Sequence, residues 1–102
     1  MSILIYVFST FIRFLLSKNM LNKKKHGIDF IEASTVFFDD RAILFDDPEH
    51  SEHEDRFILL GMSESSNVCI VCHCYRADDS VIRIISARKA TKKEERIYVK
   101  GI

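Results

Sequence analysis

Short apolar runs separated by polar turns make up most of the chain, and the period of the apolar positions changes near residue 40. Before that point, DFIEASTVFF predicts a helix over residues 29–38, because Asp29 followed three residues later by Glu32 is a capping-box pattern. After it come four runs rich in β-branched and aromatic residues, which are typical of strands. They are RAILF, FILLGMS, VCIVCHCY and VIRIISARK, over residues 41–45, 57–63, 68–75 and 81–89. Their close spacing and tight polar turns favour an antiparallel meander.

Two further helices are predicted at the ends of the domain. Residues 17–26 are polar and compatible with a helix, and Gly27 suits the left-handed position that follows a helix. At the other end, TKKEERIYV starts with Thr91 and has Glu94 three residues later, a second capping box. Two N-terminal helices, a four-stranded antiparallel sheet and a C-terminal helix define an α+β class. A length of 102 residues predicts one domain over residues 1–102.

The first 16 residues are apolar apart from two serines, a threonine and Arg13. Arg13 interrupts the run of roughly 20 apolar residues that a spanning helix needs. A signal peptide is also disfavoured, since no positive charge precedes the run and no small-residue cleavage site follows it. A membrane-anchored protein is therefore the weakest class, and we expect no membrane partner. Residues 1–17 are interpreted either as an atypical apolar extension or as a diverged first strand.

The formal net charge is zero, so overall charge predicts no partner, but the charges are unevenly placed. Residues 39–56 hold eight acidic side chains, and residues 83–100 hold seven basic ones. This asymmetry indicates either a nucleic-acid surface that faces away from an acidic loop or two solvated surface segments.

The segment NVCIVCHCYR contains Cys69, Cys72 and His73 in the C-x-x-C-H spacing of c-type haem attachment. Side chains alternate between the two faces of a strand, so Cys69 and Cys72 point in opposite directions and suit neither haem nor zinc. We expect three reduced cysteines in apolar positions of a cytoplasmic protein. His50 and His53 lie in a polar loop without a distant ligand pair, so no metal and no cofactor is expected.

Basic and aromatic side chains cluster on the last two strands and the last helix. Cleavage of RNA without a metal needs a group that removes the 2′-hydroxyl proton, a proton for the leaving 5′-oxygen, and cations that hold the phosphate. Histidine can transfer protons, arginine can bind phosphate through two N–H groups, and tyrosine can stack on a base. On its own, this set of residues is weak evidence for RNA cleavage, because many small sheet proteins carry similar residues.

From residue 18 to residue 99 the chain resembles the BrnT family of bacterial toxins. The resemblance lies in K-x-x-x-N-x-x-K-H-G, DFIEASTVFFD, DDPEHSEHEDRFILLG, the strand that contains His73, and RIISARKATKKEERIYV, in the same order and with similar spacing. It implies a RelE-like fold and a ribonuclease that arrests translation. It also implies a BrnA-like antitoxin that forms a hetero-oligomer with the toxin. In that complex the antitoxin, and not the toxin, contacts operator DNA.

The resemblance also suggests roles for individual residues, each of which could instead be structural. The expected catalytic residues are Arg56, His73, Arg83 and Arg88, converging at one edge of the sheet, and the expected RNA-binding residues are Tyr75, Lys89 and Arg96. One departure concerns the first strand, where the family's acidic residue is replaced by Leu15. This departure motivates an alternative function, a catalytically decayed binding module that only forms the antitoxin complex.

Overall fold

A computed structural model describes residues 27–48, 55–76 and 81–101 of the chain. Its elements are helix α1 (Phe30–Thr35), a 3₁₀ turn (Val36–Phe38), strands β1 (Ile43–Asp46), β2 (Arg56–Met62), β3 (Val68–Arg76) and β4 (Val81–Lys89), and helix α2 (Lys92–Lys100). The α+β class, the four strands and the C-terminal helix are confirmed. The predicted helix over residues 17–26 and the segment 1–17 lie outside the described residues.

The four strands form one antiparallel sheet in the order β1-β2-β3-β4, which confirms the predicted meander. The sheet contains one irregularity, between β3 and β4. Cys72 pairs with Ser86 whereas His73 pairs with Ile84, so Ile85 is an extra residue on β4. Such a bulge reverses the alternation of side chains beyond it.

One face of the sheet packs against α1 and contains the main hydrophobic core. We call it the core face. Its buried residues from the sheet are Leu59, Cys69, Val71, Ile82, Ile84 and Ala87, and they pack against Ile28, Phe30, Ala33 and Val36. Asp29 caps α1 as predicted, since its carboxylate accepts a hydrogen bond from the Glu32 N–H at 2.6 Å. The Glu32 carboxylate, by contrast, accepts hydrogen bonds from Ser63 and Asn67 in the β2–β3 turn.

Helix α1 is shorter than predicted because its last turn tightens. The Ser34 and Thr35 hydroxyls donate to the carbonyls of Ile31 and Glu32 at 2.6 and 2.7 Å. Such side-chain bonds compete with the helical N–H groups for the same carbonyls. The 3₁₀ turn that follows carries the chain to Asp39.

The Asp39 carboxylate joins three parts of the fold. It accepts hydrogen bonds from the Met62 N–H of β2 at 2.8 Å and from the Tyr98 hydroxyl of α2 at 2.7 Å. A third comes from the Arg41 N–H at 3.0 Å. Burial alone would raise the pKa of Asp39, but these hydrogen bonds outweigh it and the pKa is lowered. The carboxylate therefore fixes both α2 and the start of β1 relative to β2.

The cysteines alternate across the sheet as predicted. Cys69 is on the core face and fully buried, while Cys72 and Cys74 are on the opposite face. All three are free thiols, and Cys69 and Cys74 occupy apolar, buried positions. Burial raises the pKa of Cys69 to about 11, which disfavours the reactive thiolate.

His73 is completely buried on the core face, among aromatic rings. The rings of Phe37 and Tyr75 meet its imidazole edge-on at centroid distances of 4.9 and 5.3 Å, and Phe57 lies at 6.0 Å. Its Nδ1 is 3.2 Å from the Val71 carbonyl oxygen, and its Nε2 is 3.4 Å from the Tyr75 hydroxyl. These contacts suit a neutral imidazole that donates from Nδ1 and accepts at Nε2.

The first prediction concerns Gly61, where the sheet meets the 3₁₀ turn. A Cβ atom on Gly61 would lie 2.8 Å from Val36 Cγ1 and 2.9 Å from Ala42 Cβ. We expect Gly61→Ala to lower the free energy of unfolding by about 1–3 kcal/mol, because neighbouring atoms must move apart. Urea denaturation measures this change. Ser65→Ala in the exposed turn is the matched control and should change stability by less than about 0.5 kcal/mol; equal effects of the two substitutions would contradict the close contact.

The second prediction concerns the pH dependence of stability. Burial lowers the pKa of His73 from its ordinary value of 6.5, against the opposing effect of the Val71 carbonyl. The unfolded chain therefore binds this proton more tightly than the folded chain. The contribution of the neutral His73 to the free energy of unfolding is fully present above pH 6.5. It is lost as the pH falls toward the lowered pKa of His73.

We accordingly expect His73→Leu to unfold with a weaker pH dependence than the parent between about pH 7.5 and pH 5. Denaturant titrations across this range measure the difference. Tyr75→Phe removes a hydrogen-bond partner but keeps the imidazole, so this control should retain the parental pH dependence. Identical slopes for the parent and His73→Leu would show that His73 titrates alike in the folded and unfolded states.

Candidate functional site

Three of the four predicted catalytic residues share the sheet face opposite the core face, which we call the arginine face. Its arginines among the described residues are Arg56 on β2, Arg76 at the end of β3, and Arg83 and Arg88 on β4. Arg56 pairs directly with Cys74 of β3, and Cys74 pairs directly with Arg83. Directly paired residues of antiparallel strands point to the same side of the sheet. Arg56 and Arg83 therefore flank Cys74, with Cα atoms roughly 10 Å apart because they are two strand spacings apart.

The bulge on β4 is what places Arg83 on this face. Arg88 pairs with Ile70, and the same register continued without interruption would pair Cys74 with Ile84. The extra residue, Ile85, shifts the pairing so that Arg83 faces Cys74 and Ile84 enters the core. Strict alternation along VIRIISARK predicts the opposite placement for Arg83.

Asp47 extends this row of residues, and the sequence analysis did not select it. Its N–H donates to the Arg56 carbonyl oxygen at 3.0 Å, which continues the β1–β2 register by one residue beyond Asp46. The row across the sheet is therefore Asp47, Arg56, Cys74 and Arg83. The alternation of Ile43, Phe45 and Asp47 is visible in the sequence and places them on one face. The strand pairing was needed to show that Asp47 lies beside Arg56.

Asp47 and Arg56 both lie close to Cys72. Cys72 lies diagonally beside the row, with its Sγ atom 3.9 Å from Asp47 Oδ2. Burial raises the pKa of the Cys72 thiol, the negative charge of Asp47 raises it further, and the positive charge of Arg56 opposes both. This half-buried region thus contains an acidic group and a cationic group side by side.

A cleft opens beside Arg56 at the start of β2. Its volume is about 360 Å³, and it is lined by Asp46, Pro48, Asp55, Arg56 and Phe57. Arg56 thus borders both the row and a concave surface.

Arg88 has a well-defined partner in helix α2. Two nitrogens of its guanidinium donate to the two carboxylate oxygens of Glu94 at 2.7 and 2.9 Å. Glu94 also accepts from the Thr91 N–H, and Thr91 accepts from the Glu94 N–H, so the predicted capping box is confirmed. The hydrogen bonds from Arg88 are the main reason that the pKa of Glu94 falls to about 2. Arg88 therefore ties the end of β4 to the first turn of α2.

The remaining predicted site residues are placed elsewhere. His73 and Tyr75 lie on the core face, so the structure does not bring the imidazole together with the arginines. Lys89, at the end of β4, pairs with Cys69 and is exposed. Arg96 is exposed on α2, beside a shallow depression of about 340 Å³. The predicted convergence of all four catalytic residues therefore fails at two of them. Strand alternation points His73 to the other face, and Arg88 pairs with Ile70, four residues along β3 from Cys74.

Within residues 27–48, 55–76 and 81–101, no three His, Cys, Asp or Glu side chains lie close enough to hold a metal ion together. His50 and His53 are outside these ranges. None of the helices described is both long enough and apolar enough to cross a membrane.

The sequence was compared with family models and with curated proteins. The family model described as "Ribonuclease toxin, BrnT, of type II toxin-antitoxin system" matches residues 16–94. No curated protein matches the chain. The family match includes α1, the whole sheet with its arginine row, and the first turn of α2 with Glu94. Because it spans most of the 102 residues, the chain belongs to the BrnT family of type II ribonuclease toxins.

Proposed function

We propose that this chain is an active endoribonuclease that cleaves RNA without a metal ion and thereby arrests translation. The observation that carries the proposal is the arrangement of Arg56 and Arg83 on either side of Cys74, on one face of the sheet. A guanidinium can donate two parallel hydrogen bonds to phosphate oxygens and stays charged at all relevant pH values. Two such groups supply the cationic stabilisation that the reaction requires.

The reaction most consistent with this site is an internal transesterification of RNA. The ribose 2′-oxygen attacks the adjacent phosphorus, negative charge builds on the phosphate oxygens, and the bond to the 5′-oxygen breaks. Donors fixed in place before the reaction stabilise such charge without reorganising. In this proposal Arg56 and Arg83 contact the phosphate directly, while Arg88, held by Glu94, positions the end of β4.

RNA contacts beyond the phosphate are assigned to other surfaces. Lys89 and Arg96 are exposed and would contact the RNA backbone away from the row. Tyr75 remains a candidate for base stacking through its half-buried ring. The burial of His73 favours a packing role over proton transfer, because its imidazole is shielded by Phe37, Phe57 and Tyr75.

A protein antitoxin is the implied partner, since the family is one of type II toxin–antitoxin systems. We assign this role to a small BrnA-like protein that forms a hetero-oligomer with the toxin. In that complex the antitoxin, and not the toxin, binds operator DNA. Large apolar side chains exposed on the toxin support such a partner, among them Phe38, Leu44 and Val99 at 49, 52 and 82% exposure. The small antiparallel sheet with flanking helices also supports a RelE-like fold, and a ribonuclease of this kind would act in the cytoplasm.

The third prediction tests the two arginines. Arg56→Ala and Arg83→Ala should each reduce the single-turnover rate of RNA cleavage by about a hundredfold, by analogy with the loss of one donor to an oxyanion. Arg56→Lys should recover little of this loss, because an ammonium cannot form the bidentate contact. Cleavage of a labelled RNA by purified protein provides the rate. His73→Leu should leave the pH profile of the rate unchanged.

Arg41→Ala is the matched control, because Arg41 is an exposed arginine in the turn before β1 and lies away from the row. It should cleave at the parental rate. Thermal unfolding of every variant separates lost chemistry from lost folding. Parental rates for folded Arg56→Ala and Arg83→Ala would contradict the phosphate assignment, and an inert parent would point to the decayed binding module.

The fourth prediction concerns the antitoxin complex. Co-expression with the proposed BrnA-like antitoxin should yield one complex on size-exclusion chromatography at about micromolar concentration. The complex should also unfold at a higher temperature than the toxin alone, since a partner that binds only the folded state stabilises it. Arg56→Ala is a useful control, because it should bind the partner while removing toxicity. Separate elution of the two proteins would contradict the prediction.

A further inference from the structure

Cleavage of RNA by its own 2′-hydroxyl needs a proton acceptor close to the phosphate. The sequence suggested His73 for this role, but that imidazole is fully buried on the core face while the arginines occupy the other face. The acceptor should instead lie beside the row that contains Arg56 and Arg83.

Asp47 lies in this row, where the proton acceptor is expected. It directly neighbours Arg56 in the row, through the hydrogen bond from its own N–H to the Arg56 carbonyl oxygen at 3.0 Å. Its Oδ2 atom lies 3.9 Å from Cys72 Sγ, which places the carboxylate over the arginine face. Asp46, one residue earlier, pairs with Phe57 and so belongs to the other face. A carboxylate and two guanidinium groups are therefore arranged along one line across the sheet.

We propose that Asp47 is the general base of the ribonuclease, a role that rests on the function proposed above. One carboxylate oxygen of Asp47 takes the proton of the ribose 2′-hydroxyl as the 2′-oxygen forms its bond to phosphorus. The bond from phosphorus to the 5′-oxygen breaks, and the proton returns to that oxygen through a water molecule. The products are a 2′,3′-cyclic phosphate and a 5′-hydroxyl, with no net gain or loss of protons.

Several charged or titratable groups surround this carboxylate. On β2 and just before it these are Arg56 and Asp55, on β3 they are Cys72, Cys74 and Arg76, and along its own segment Asp46 is adjacent. Arg83 lies beyond Cys74 in the same row. Positive charge nearby favours the ionised, proton-accepting form of a carboxylate, and negative charge opposes it.

The decisive experiment compares Asp47→Asn with the parent in single-turnover cleavage of a labelled RNA. The substitution keeps the size and hydrogen-bonding ability of the side chain but removes proton acceptance. We expect a rate reduced by about 10²–10⁴-fold at neutral pH, and the loss of the limb of the pH profile on which the parental rate rises with pH. Binding of an RNA with 2′-deoxyribose at the cleavage site, which cannot react, should be retained by the variant.

Asp40→Asn is the matched control, because Asp40 is exposed in the turn before β1 and lies away from the row. It should retain the parental rate and pH profile. A folded Asp47→Asn that cleaves at the parental rate would overturn the inference and leave the function intact, provided that Arg56→Ala is inactive. A slower variant with a parental pH profile and lowered thermal stability would also overturn it, since that combination indicates a structural role. An inert parent would overturn both.

Discussion

The hydrogen bonds to the Asp39 carboxylate hold the two ends of the described fold together. Through them, the end of the 3₁₀ turn, the last residue of β2 and the last turn of α2 meet at one point. Gly61 allows this approach, because no side chain separates β2 from Val36 and Ala42. The position of α2 in turn fixes Glu94, which holds Arg88 at the end of β4. One carboxylate on the core side thus helps to orient an arginine on the other side.

The two faces of the sheet divide the work of the molecule. The core face carries the hydrophobic contacts with α1 and the aromatic rings around His73, while the arginine face carries the charged row beside the buried Leu60, Ile70 and Cys74. This division explains why a histidine in the middle of a promising sequence motif contributes to packing. It also explains why Asp47, in a stretch that looked like an ordinary acidic loop, lies among the candidate catalytic groups.

Much of the fold could be predicted from the sequence, since it depends on local patterns. The strands and the capping box at Thr91 follow from alternation and from the Thr–Glu spacing, and the opposite orientations of Cys69 and Cys72 follow from alternation alone. The candidate site was only partly predictable, because it depends on which residues face each other across strands. The β1–β2 register relates Asp47 to Arg56, and nothing in either segment alone specifies it. Arg83 departs from the strict alternation of side chains for a similar reason, because β4 contains one extra residue.

That extra residue bears on how this protein can change during evolution. Ile85 acts as a spacer between the paired residues Ile84 and Ser86. If β4 kept its present length but paired regularly, Ile84 would lie opposite Cys74 and Arg83 would enter the core. Deletion of one residue at this point would instead remove the bulge and leave Arg83 and Ile84 on their present faces. The face on which each side chain lies is therefore set by which residues are paired, and not by the length of the strand alone.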